Sequence, residues 1–149
     1  MIIKYFSERA KNRYLEFFNK NPVCVCIGIC YRFSGYMFRV IDGYGRVVNL
    51  EFEYFDILDN RIPDGWIFHY FPEIGSVIAP QEFTGEFWDR FDGEDGTYAE
   101  QEEAQALFKE VVNKIYAFHG LPPHFVEEKE PEPLKEHEWW KEYVDEDES

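Results

Sequence analysis

The tetrapeptide Asp42-Gly43-Tyr44-Gly45 lies between two runs rich in Val, Ile and aromatic residues, 36–41 and 46–55. A short turn with glycine at positions that take φ > 0 makes the two flanking runs antiparallel neighbours. The second run alternates: Val48, Leu50, Phe52 and Tyr54 are apolar, while Asn49, Glu51 and Glu53 are polar. Period two with one apolar side predicts a strand with one covered face and one wet face. Upstream, residues 23–31 form a Val, Ile and Cys run that reads as one buried strand, joined to 36–41 through a turn at Ser34-Gly35. Residues 23–55 therefore predict an antiparallel β-meander. Residues 59–65 read as a loop closed by Pro63-Asp64-Gly65, and residues 66–71 as a fourth strand.

Two helices frame these strands. Tyr5, Phe6, Ala10, Arg13, Tyr14, Phe17 and Phe18 recur at three- and four-residue spacing, predicting a helix over 4–20 that stops before Pro22. Thr97 and Glu100 form a capping box before Ala104, Leu107, Phe108, Val111, Ile115 and Phe118, and Gly120 stands at C′. That pattern predicts a second helix over 98–119. Six Gly and Pro residues over 72–96 predict mostly loop, with one helical turn near 81–90. The fold class expected is α+β, an antiparallel β-meander of three to four strands packed with an N-terminal helix and a long C-terminal helix. The domain spans 1–125. Residues 126–149 are an acidic tail whose Leu134, Trp139, Trp140, Tyr143 and Val144 mark a short helix or docking segment.

The chain has 149 residues, enough for a self-sufficient core, and aromatics make up 19% of it. No apolar run approaches the ~20 residues that span a bilayer. The start, Met1 to Glu8, has no long apolar stretch and meets a charge early, unlike a secretory signal. Cys24, Cys26 and Cys30 are an odd number in one segment, unlike a disulfide framework. These features together predict a cytoplasmic protein.

Conventional reaction centres are absent from the pattern. Cys24, Cys26 and Cys30 on one strand face could offer thiolates to zinc, with a histidine as the fourth ligand, but the loop-borne CxxC spacing of structural sites is missing. Packing as small apolar groups is the simpler role. His69, His119, His124 and His137 show no HExxH and no companion nucleophile. Aligning Gly96 on the glycine of a calcium loop puts Phe91 and Gly93 where oxygen ligands belong. There is no GxxxxGK[ST] or GxGxxG to cradle phosphate. No cofactor and no metal are expected.

Charge is the stronger signal. The net is −15, yet residues 1–48 hold eight Lys and Arg against three Asp and Glu, a net of +5. Residues 49–149 hold seven against twenty-seven, a net of −20. Such acidity repels nucleic-acid phosphates and anionic membranes and steers basic proteins in. Residues 82–103 alone carry nine acids and one Arg, interleaved with Phe83, Phe87, Trp88, Phe91 and Tyr98. Carboxylates steer and select, and aromatics supply buried anchors. The partner-binding residues expected are Glu86, Phe87, Trp88, Asp89, Phe91, Asp92, Glu94 and Asp95. Asn49, Glu51 and Glu53 extend the patch, and Trp139 and Trp140 of the tail join it.

In size, acidity and missing catalytic kit, the chain resembles the small immunity proteins of bacterial toxin systems. The resemblance implies a cytoplasmic inhibitor that binds a basic toxin domain, often a nuclease, and blocks its active site. Two alternatives stand beside it. One is a DNA mimic, or an adaptor using the Trp139-Trp140 tail. The other is a small hydrolase or metal-dependent enzyme built on His69, His119 and acidic residues.

Overall fold

The computed structural model describes residues 1–5, 22–32, 35–43, 45–72, 75–94, 96–126 and 139–143. They fall into two compact units, one comprising Met1–Ala79 with Trp140–Ser149, the other Pro80–Trp139. The mixed α+β class and the antiparallel pairing agree with the sequence. A single meander of three to four strands does not: the first unit contains two sheets.

Strands β1 (Ile2–Tyr5), β2 (Val23–Val25) and β6 (Phe55–Asp59) form a three-stranded sheet in the order β2-β1-β6. Strands β3 (Gly28–Arg32), β4 (Gly35–Ile41), β5 (Val47–Glu51), β7 (Trp66–Phe71) and β8 (Gly75–Pro80) form a five-stranded sheet, β5-β4-β3-β8-β7. The expected meander is the β3–β4–β5 part, in register Ile29↔Phe38 and Phe38↔Leu50. Its hairpin is clamped by Asp42. The Asp42 carboxylate accepts from the Arg46 amide at 2.8 Å and from Arg46 Nε at 2.9 Å, while the Asp42 amide donates to the Arg46 carbonyl.

The expected single strand over 23–31 is two strands. The chain leaves one sheet at Cys26 and enters the other after Ile27, where the Cys26 amide donates to Met1 O and the Ile27 amide to Arg39 O. The break separates the cysteines. Cys24 and Cys26 join the core of Met1, Ile3, Phe38, Val40, Leu50 and Phe55. Cys30 pairs with Met37, on the face opposite Phe38, and its Sγ lies 4.0 Å from Asn49 Oδ1. Burial raises both core thiols: Cys26 is pushed up to about 12 and Cys24 is raised further.

The third expected strand, 46–55, ends at Glu51, and a 3-10 turn over Phe52–Tyr54 redirects the chain into β6. The segment 72–96 is not mostly loop, since β8 pairs with β3 there (Cys30↔Val77). Gly75 opens β8 at φ +123°, and a Cβ at that position would run into the Tyr31 carbonyl. The helix expected over 4–20 begins instead as strand β1 at Lys4 and Tyr5, and its remainder lies outside the described residues.

The second unit is helical. Helix α1 (Phe87–Asp92) follows a 3-10 turn over Gln81–Phe83, and helix α2 (Tyr98–Phe118) matches the expected 98–119. Thr97 caps α2 by accepting from the Glu100 amide at 3.2 Å, and Gly120 closes it at φ +72°. Ala104, Phe108, Val111 and Ile115 are buried as expected, together with Val112 and Tyr116. Phe118, expected inside, is exposed. Phe108 is the hub of an aromatic cluster, with ring centroids at 4.8 Å from Phe91, 5.6 Å from Phe83 and 5.8 Å from Phe125. Asn113 fastens the chain after α2: its amide nitrogen donates to Phe125 O and its oxygen accepts from Phe125 N, both at 2.9 Å. The tail helix expected from about 133 lies largely outside the described residues, and Trp139–Tyr143 is a 3-10 turn. Among the described residues, no helix is long and apolar enough to cross a membrane.

Candidate partner-binding site

The acidic stretch 82–103 becomes one wall and part of the other of a groove between α1 and α2. A sharp reversal brings the helices together. Gly93 caps α1 at φ +76°, in the left-handed region, with its amide on the Arg90 carbonyl at 3.1 Å. A side chain there would strike Gln101, whose amide nitrogen donates to Phe91 O at 3.4 Å. The loop is therefore short, and α2 starts beside the end of α1.

On α2, Glu100, Glu103, Ala104 and Leu107 stand at i, i+3, i+4 and i+7, which is one helix face. That face meets Glu82, Thr84, Glu86, Phe87 and Arg90 across a cavity of about 320 Å³. The floor is apolar and four glutamates rim it against one arginine. Arg90 links the walls, 3.2 Å from Glu86 and 3.6 Å from Glu100. Both contacts are solvent-exposed, and such pairs contribute only about 0–1 kcal/mol.

The aromatic residues expected to anchor a partner point into the unit itself. Phe87 is buried, with its ring 4.8 Å from Phe83. Trp88 and Phe91 are half-buried, at 6.1 and 4.8 Å from Phe108. The i, i+4 spacing of Phe87 and Phe91 turns both rings to the same side. Tyr98, 76% exposed at the start of α2, is the aromatic that stands out. Glu86, Asp89, Asp92 and Glu94 are exposed as expected, while Asp95 lies outside the described residues. Glu82, Glu100, Glu103 and Leu107 are not among the partner-binding residues expected from sequence, where Glu100 reads as a helix cap and Leu107 as helix core. The signal for the last three was the phase of α2 counted from the Thr97 cap.

A second acidic place lies in the strand unit. Asn49 is exposed and accepts from Arg39 Nε at 3.4 Å; Glu51 is half-buried and Glu53 exposed. Glu51 and Glu53 line a notch of about 420 Å³ with Gly35, Tyr36, Met37 and Phe52. Trp139 and Trp140 are half-buried, and the Trp139 ring stands 6.1 Å from Tyr116.

Among the described residues, His69, His119 and His124 do not assemble a reaction centre within either unit, and His137 lies outside those residues. His69 stacks on Phe71 at 5.5 Å, and His119 is buried at the C-terminal end of α2. His124 sits between Tyr116 and Phe125, and desolvation lowers its pKa. Among the described residues, no group of three or more His, Cys, Asp or Glu side chains is placed to hold a metal ion. Compared with known proteins, the chain matches no family model, no curated protein and no solved structure.

Proposed function

We propose that the chain is a binding protein for a basic protein partner, which it engages through the α1–α2 groove. The observation that carries this reading is the groove itself: Glu82, Glu86, Glu100 and Glu103 rim an apolar floor of Phe87, Ala104 and Leu107. Rim carboxylates draw in Lys and Arg and set orientation, while the floor receives their aliphatic stems. The aromatic cluster beneath holds the walls in place, so less ordering cost falls on association.

An inhibitor of the immunity type, which covers the cationic active site of a toxin domain such as a nuclease, fits this chemistry. The support is the groove together with a net charge of −15. A nuclease active site attracts phosphate, and a rigid row of carboxylates competes for the same cations.

Paired affinity capture at low salt tests the reading, with wild type and an E82K/E86K/E103K variant as baits. All three side chains are solvent-exposed, so the variant keeps its core. A basic protein retained near one-to-one by wild type and lost by the variant is the expected result. A partner held equally by both baits removes the groove from the account.

A further inference from the structure

Pairing between β4 and β5 ends at Met37↔Glu51, but β4 continues to Gly35 while the 3-10 turn carries Phe52 and Glu53 away. The diverging chains leave the notch of about 420 Å³ described above. Its aromatic side is a ladder: Tyr31 to Tyr36 at 4.7 Å, Tyr36 to Phe52 at 5.9 Å, and Phe52 to Phe38 at 5.3 Å. Phe38 is in the core, so the inner rung is fixed. The outer rungs are open, with Tyr31 48%, Tyr36 55% and Phe52 44% exposed. Contiguous exposed aromatics held on a rigid frame mark contact surfaces.

We propose that this notch docks an extended segment of a partner protein that presents a lysine or arginine side chain. The surface lies in the strand unit, and the proposal does not depend on the role of the α1–α2 groove. Glu51 and exposed Glu53 bring carboxylates to the notch, and the exposed rings of Tyr36 and Phe52 beside them can attract a cation through their quadrupoles. Met37 and Phe52 offer apolar contact to the aliphatic stem. The volume also exceeds one side chain and falls in the range of about 300–1,000 Å³ typical of ligand sites.

The test is an NMR titration of the full chain at low salt, following aromatic ring signals. The probes are acetyl-Ala-Arg-Ala-Arg-Ala-amide, its citrulline counterpart and arginine amide. The expected result is saturable shifts at Tyr31, Tyr36 and Phe52, with the citrulline peptide and arginine amide each bound about five-fold more weakly. Y36A and E53K, both at exposed positions, each weaken the arginine peptide about five-fold, while E86K changes its affinity less than about two-fold. Unmoved Tyr36 and Phe52 signals, or unchanged affinity in both Y36A and E53K, overturn the proposal. Equal binding of arginine amide overturns the assignment of a peptide.

Discussion

Replacing Asp42 by alanine probes the device that sets the β4–β5 hairpin. The Asp42 side chain is fully buried, whereas the Arg46 side chain is 61% exposed. The carboxylate accepts from the Arg46 amide at 2.8 Å and from its Nε at 2.9 Å. Hydrogen bonds to a charged group contribute about 1.5–3 kcal/mol each. The exposed guanidinium recovers most of its share from water, and burying a carboxylate carries its own cost. The amide bond remains the larger loss, so Asp42→Ala is expected to cost about 2 kcal/mol, close to a thirty-fold change in the unfolding constant. Asp42→Asn keeps the acceptor for the Arg46 amide but turns an NH₂ toward Nε, and is expected to cost about half as much. Urea unfolding gives the free energy, and amide exchange along Phe38, Val40 and Val48 shows whether the loss is local to the hairpin. An Asp42→Ala protein within about 0.5 kcal/mol of wild type, with unchanged exchange in β4 and β5, would refute the clamp.

The remaining predictions concern the cores. Native Cys24 and Cys26 should resist iodoacetamide at pH 8 and react on unfolding, because burial pushes Cys26 up to about 12 and Cys24 further. Fast native alkylation of either would contradict the core placement. The same shifts set a sign for pH: folded thiols hold their protons above the ordinary value of 9.0. Their contribution to stability is therefore full below about pH 9 and declines through the range up to the folded value, which alkaline titration of the urea midpoint measures. Asn113→Ala removes both 2.9 Å bonds to Phe125 and is expected to cost about 2 kcal/mol, read by thermal unfolding and by faster exchange of the Phe125 amide.

Local chemistry was legible wherever short-range signals acted alone. Thr97 with Glu100, Gly120, and the Asp42–Gly45 turn announce the ends of α2 and the β4–β5 hairpin, because caps and tight turns are satisfied within a few residues. The two-sheet arrangement was not legible. Residues 23–31 are apolar throughout, so no period marks the passage from β2 to β3, which depends on bonds to Met1 and Arg39 far away in sequence. Strand β8 was hidden by Gly75 and Pro80, residues that signal loops but here stand at the strand's two ends. At the groove, the acidic content was plain and its geometry was not. Phe87, Trp88 and Phe91 read equally well as anchors or core, and only contacts with Phe83 and Phe108 place them inside.

The central claim, that the α1–α2 groove receives a basic partner, is tested most directly by association kinetics of the captured complex against ionic strength. Wild type should associate fast at low salt and slow steeply as salt rises, since screening beyond about 8 Å at physiological ionic strength removes steering. E82K/E86K/E103K should associate more slowly at low salt and show a shallower dependence. Equal rates and equal salt slopes for the two proteins would contradict the account.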